Sequence, residues 1–247
     1  MDFTQKIYTE LLKTLKAQGY SFQTFEDFVQ KPEKKVVVLR HDVDKLPQNA
    51  VDLAGIENNL GIKASYYYRI VKQSNVPPLI EKVKKLGHEI GYHYEDLTLA
   101  KGDKEHAIKM FEKNLTYFRK FYPVVTACMH GSPLSKWDNR DLWKKYNYKD
   151  YGIIAEPYFD INYDKVFYLT DTGRHWNNSG VSVRDKVKSG FEIDVKSTEH
   201  LIKLLKTAEL PQKIIINTHP QRWFNPGYNW LKELVLQNIK NQIKKFI

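Results

Sequence analysis

Apolar positions along the chain switch repeatedly between two periods, short continuous runs and the three-to-four spacing of amphipathic helices. In the first 19 residues Ile7, Leu11, Leu12 and Leu15 share one helical face, and Gly19 ends it. A strand–helix alternation begins at Lys35. VVVL is a continuous apolar run of the kind a buried parallel strand shows. PQNAVDLAGIENNLG then predicts a helix, KASYYYRI a strand, PPLIEKVKKLG a helix, HEIGY a strand, DKEHAIKMFEKNLTYFRKFY a long helix and VVTACM a strand. Beyond these, NRDLWKKYN and TEHLIKLLKTA read as helices, and GIIAE, VFYLT and KIIIN as strands. A terminal amphipathic helix begins near Trp230. No repeat, low-complexity tract or linker interrupts the order. Such an order predicts one α/β domain over residues 1–247, barrel-like or doubly wound. Residues 1–34 are expected to form a helical extension and 228–247 the closing helix.

Polar, chemically capable residues come directly after the strands. HDVD follows VVVL, HYED follows HEIGY, HG follows VVTACM, DTGR follows VFYLT, and TH follows KIIIN. Parallel α/β folds open the carboxyl ends of all their strands onto one face, where active sites form. The layout is that of an enzyme.

Composition narrows the class. Of 247 residues, 42% are hydrophobic and 28% charged, which fits a globular chain with a sizeable core. The net charge of +10 comes from lysines scattered over predicted helix faces, not from a basic block, and a nucleic-acid partner is not expected. A basic surface does suit a substrate bearing phosphate or carboxylate, or an anionic membrane surface. The terminal helix is basic and amphipathic, as are membrane-surface helices and helices packed on a barrel; packing is expected. The single cysteine, Cys128, lies in an apolar run and reads as a buried thiol. With no export signal and no stretch of membrane-spanning length, a cytoplasmic protein is expected.

RHDVD places a histidine and two carboxylates at the mouth of the first strand. If the strand persists, Asp42 and Asp44 point the same way and Val43 points into the wall. Paired carboxylates can divide labour, one binding a metal and the other taking a proton. A helix cap would need only one of them. The same D-x-D begins haloacid-dehalogenase-type phosphatases, with Asp42 as nucleophile and Asp44 as acid. That family expects Thr or Val where Leu46 stands, and a late acidic pair where this chain has NTHP.

GHEIGYH resembles the second motif of the polysaccharide deacetylase (NodB-homology, carbohydrate esterase 4-like) family, in which the last histidine binds a metal. RHDVD is similar to that family's first motif, usually T-F-D-D. MHGSP stands where an Arg-Pro-Pro-Tyr segment usually comes, DTGRHW stands near the fourth motif, and INTHP resembles the last, which carries a catalytic histidine. The resemblance covers Val36 to Pro220. It implies a distorted (β/α) barrel of six to eight mostly parallel strands and metal-dependent removal of an N-acyl group, acetyl or formyl, from an amino sugar. The family's second metal-binding histidine falls four residues after the first, and that position here is Leu97, which cannot coordinate. Glu95 or His130 can stand in, and His130 is favoured.

The resemblance thus implies a divalent transition ion, zinc by the ligand chemistry, on Asp44, His93 and His130. Asp42 becomes the base and His219 the acid. Arg174, whose planar guanidinium suits a carboxylate or phosphate, and the indoles of Trp176 and Trp223 are expected to position the sugar. His88, His106 and His200 read as structural or surface residues, and His175 stays open. The expected substrate is a nucleotide- or lipid-linked sugar of surface-polysaccharide biosynthesis. The missing histidine keeps a non-catalytic carbohydrate-binding relative as a third reading.

Overall fold

The continuous apolar runs become strands buried on both faces. The computed structural model describes residues 1–176 and 184–244. Its strands are β1 (Ser21–Gln23), β2 (Val36–Val43), β3 (Ser65–Tyr68), β4 (Glu89–Tyr94), β5 (Ala127–Met129), β6 (Phe167–Thr170) and β7 (Lys213–Thr218). All pair in parallel in the order β5-β4-β3-β2-β7-β6. β1 lies beside Val36–Val38 and β3 beside Arg40–Val43, so the two share one edge of β2.

The helices are α1 (Gln5–Ala17), α2 (Phe25–Gln30), α3 (Pro47–Asn59), α4 (Pro77–Lys85), α5 (Asp96–Leu99), α6 (Lys104–Phe118), α7 (Pro157–Asp160), α8 (Thr198–Lys206) and α9 (Tyr228–Lys244). Their starts follow the local chemistry. Thr4, Thr24, Asp103 and Ser197 cap α1, α2, α6 and α8 through side-chain oxygens, and prolines open α3, α4 and α7.

Alternation along β2 divides the interior in two. Val37, Leu39 and Val43 pack outward with α1, α3, α6 and α8, while Val36 and Val38 face inward with Tyr67, Cys128, Tyr168 and Ile215. The inward side is concave. In a flat sheet of this order β5 and β6 would stand about 24 Å apart, at about 4.8 Å per strand. Here Tyr168 of β6 and Tyr158, beyond β5, both donate to Asp185 Oδ1, at 2.5 and 2.8 Å. Arg40 on central β2 reaches both hydroxyls, at 3.2 and 3.3 Å. The sheet therefore curls into a half-barrel with helices outside, the distorted α/β barrel that the motifs implied.

Close packing inside the curl explains a glycine. A Cβ on Gly91 would lie 2.3 Å from the ring of Tyr67, which is fully buried and tied to Thr126 through its hydroxyl. Gly91→Ala is expected to cost about 1–3 kcal/mol by overpacking, read as a lower urea midpoint with an unchanged slope. A midpoint equal to that of the native chain would mean the ring moves aside freely.

Several elements differ from the sequence-based expectation. GIIAE is not a strand; it makes a single bridge, Thr126 with Ala155, before Pro157 removes a donor and α7 begins. NRDLWKKYN forms a short 3-10 helix, Asn139–Lys144. Residues 1–34 are not an appendage, because β1 joins the sheet and α1 packs on α8 and α3. Tyr8 of α1 and Tyr66 of β3 both donate to Glu57 of α3, whose other close partner is His41 Nε2 at 2.9 Å. This buried group fastens α1 and α3 to the back of the sheet.

α9 packs, as expected, but the other way round. Glu233, Gln237 and Asn241 form its buried stripe, while Leu231, Val235, Leu236, Ile239 and Ile243 face out. Polar contacts hold it: Glu233 with Lys45 at 3.3 Å, Asn241 to the Gly173 carbonyl at 2.8 Å, and Trp230 Nε1 to the Asp2 carbonyl at 2.9 Å.

Candidate metal centre and active site

The carboxyl ends of β2, β4, β5, β6 and β7 converge on a cleft. Asp42 and Asp44 leave β2 on its inward face, and His93 leaves β4 likewise. His130 follows β5, where its N–H still donates to the Tyr94 carbonyl of β4 at 2.9 Å. Together they wall a cavity of about 90 Å³ with Tyr158, Asp185, His219 and Arg222.

Asp44, His93 and His130 bring one ligand atom each within 4.8 Å of one another. Asp44 Oδ1 stands 3.5 Å from His93 Nε2 and 3.4 Å from His130 Nε2. Both imidazoles have their other nitrogen occupied. His93 Nδ1 donates to the Cys128 carbonyl at 2.9 Å, and His130 Nδ1 to Glu95 Oε2 at 3.1 Å. That fixes Nε2 as the lone-pair side on each ring, the usual arrangement of metal-binding histidines. Asp44 Oδ1 is buried with no hydrogen-bond partner. Three lone-pair donors facing one point, one of them orphaned, fit a divalent ion.

Electrostatics agree. Burial alone would raise the Asp44 carboxyl, but His130, His93 and His219 around it hold it well below the usual range. Burial pushes the His130 imidazole down, which favours the neutral ring that an ion needs. For His93, burial works downward but Asp42 and Asp44 outweigh it and raise the group, so a proton competes with the ion there.

A second set, Asp42, His93 and Cys128, is equally compact. It is the poorer site. Burial pushes the Cys128 thiol up, well away from the thiolate a metal needs, and its Sγ hydrogen faces the Met129 carbonyl.

Glu95 turns away from Asp44. It takes two hydrogen bonds from Arg69, at 2.8 and 2.7 Å, besides that of His130. Burial would raise its carboxyl, yet His130 and Arg69 bring it to about 2. Leu97 lies buried in α5, which begins at Asp96 and carries this position into the core.

Asp42 is held by two donors on one oxygen, Arg40 at 2.9 Å and Asn217 at 3.0 Å, while Oδ1 has no partner. His219 lies on the other side of the cleft. Its Nδ1 donates to Asp171 Oδ1 at 2.6 Å, and its Nε2 stands 3.9 Å from Asp44 Oδ2. Asp171 also receives the His219 N–H, Arg222 and the Trp223 indole N–H. Against burial, Arg222 and His219 keep it ionised.

The structure does not bring Arg174, Trp176 or Trp223 to this cleft. Trp223 is fully buried, and both indoles pack with Phe3 of the N-terminal segment. Trp176 donates to Thr198 at 2.9 Å. Arg174 follows a left-handed turn at Gly173, donates to the Arg222 carbonyl, and lies over the rings of Phe3 and Trp230. Aromatic rings from α1's end of the chain claim all three. His88 is buried behind the sheet, bonded to Ala64 and Ala54, and His106 and His175 are exposed.

Other residues that build the site carry weaker marks in the sequence. Arg40 is one, although it shares a face with Asp42 and an inward arginine needs a partner. Asp171 is another, marked only by its place after β6. Asp185 receives Tyr158, Tyr168, Thr170 and Thr172, and Arg184 binds the carbonyls of Gly131, Ser132 and Ser135 beside His130; no local signal marks either.

A comparison with family models finds no match, and neither does one with curated proteins. Among solved structures the chain is similar to peptidoglycan deacetylase PdaC from Bacillus subtilis, at 13% identity and a TM-score of 0.40 over 87% of this chain and 98% of that one. A single-site variant of the same protein superposes with a TM-score of 0.42 at the same identity and coverage. Likeness of that degree assigns no activity to this chain.

Proposed function

We propose that the protein is a metal-dependent amidohydrolase that removes an N-acyl group from an amino sugar. The observation that carries this reading is the orphaned Asp44 Oδ1 between two Nε2 atoms, with Asp42 and His219 on either side. Two imidazoles with one carboxylate suit zinc or another transition ion better than magnesium, which prefers oxygen ligands; the phosphatase reading is correspondingly weakened. A bound ion there supplies polarisation of the acyl carbonyl and a water acidified toward neutrality.

The chain's own residues do the rest. Asp42 Oδ1, free of hydrogen bonds, takes the proton of the attacking water, while Arg40 and Asn217 fix Oδ2 and keep the carboxylate aimed. His219 gives a proton from Nε2 to the departing amine, and ionised Asp171 holds the ring by Nδ1 and steadies its cationic form. Next to this pocket a recess of about 600 Å³ shares Asp44, His130 and Arg222 with it and adds Lys45, Arg69 and Lys240. That volume suits a saccharide, and its cations suit a phosphate-bearing one such as a nucleotide- or lipid-linked sugar.

The test pairs metal analysis with acetate release from N-acetylated amino sugars. Native protein is expected to hold about one equivalent of a transition ion, and Asp44→Ala and His93→Ala each to lose it while circular dichroism stays native. Full metal occupancy in either variant would overturn the site.

A further inference from the structure

A helix on a domain surface normally turns its apolar stripe toward the core. α9 does the reverse. Its inward stripe is Glu233, Gln237 and Asn241, and Leu231, Val235, Ile239 and Ile243 are each about half exposed, at 54, 49, 53 and 53%. Tyr228 and Leu236 extend the outer face. Leu134 is 83% exposed and lines the recess together with Ile243 of α9. Large apolar side chains exposed in succession along one face of a helix mark a contact site, unlike singly scattered ones.

Charge identifies the partner. The one acidic residue of α9, Glu233, is buried against Lys45, so none faces outward. Lys232 and Lys240 are exposed beside the apolar stripe. A second copy of α9 laid along the first would bring lysine to lysine on a chain already carrying +10. An anionic lipid surface complements both the lysines and the side chains between them.

We propose that the outer face of α9, with Leu134, docks the protein on an anionic membrane surface, with the recess beside the metal-binding residues opening at that surface. A saccharide carried on a lipid then reaches Asp44 and His130 without leaving the bilayer. Docking does not depend on the hydrolase reading, because partition is measured without turnover.

The experiment is co-sedimentation of the native chain with phosphatidylcholine vesicles with and without phosphatidylglycerol. Binding is expected only with the anionic lipid, falling as salt is raised. Combined Leu231→Gln, Val235→Gln and Ile239→Gln should lower partition by roughly tenfold or more with unchanged circular dichroism, since these residues are exposed. Absence of binding to anionic vesicles at low salt, or equal binding by the triple variant, overturns the proposal. So does a native dimer in light scattering that the triple variant converts to monomer without any lipid partition, which would assign the face to self-association.

Discussion

His219→Ala is expected to keep metal content and fold while turnover falls by about 10²–10⁴-fold, the usual contribution of a positioned acid. The expectation rests on how the ring is held. Strand β7 anchors its backbone and Asp171 takes its Nδ1 hydrogen, so Nε2 faces the cleft and gives up a proton there from the doubly protonated ring. Pro220 begins a short turn after it, so the ring has little freedom to leave. Asp171→Asn should reproduce much of the loss, since an amide cannot steady an imidazolium as a carboxylate does. The measurement is initial rate on a substrate the native protein cleaves, alongside elemental analysis. Turnover near the native value removes His219 from the mechanism. Loss of the ion in that variant makes it a ligand instead.

The second large effect concerns His130. His130→Ala should lower metal affinity by orders of magnitude, because it removes one of three donors and leaves Asp44 with a single imidazole. Glu95→Gln should do less, about 10–100-fold, since it touches the ion only through the His130 ring. A competition titration with a chelating dye measures both. Equal losses would mean that Glu95 coordinates directly, and no loss from His130→Ala would return the third position to an unassigned group.

Much of this arrangement could be read from the chain because it depends on local periodicity. Strands run two residues per repeat, so Asp42 and Asp44 had to share a face, and their strand had to end where they stand. Six of the seven expected strands follow from short apolar runs, and each cleft histidine sits just after or at the end of one. What could not be read depends on distant partners. Trp176 and Trp223 follow strands and look like mouth residues, yet Phe3 draws them into the core. Asp171 collects its donors from residues about fifty positions away. The periodicity of α9 shows that one face is apolar but not which face turns inward, since that depends on the polar ground offered by Lys45 and the Gly173 carbonyl. β1 was missed because three residues carry too little pattern.

The open side of the half-barrel has a consequence for how this chain can change. Among the described residues no strand pairs β5 with β6; that side of the mouth is built from the turn after His130, from Tyr158, and from Arg184 and Asp185. Insertions and deletions in a ladder shift register and spoil the pairings beyond them. Loops carry no such obligation. The residues proposed to hold the ion come from the ladder side, rooted in β2, β4 and the end of β5. Rebuilding that single rim would therefore change what the cleft admits while leaving the proposed ligand set in place.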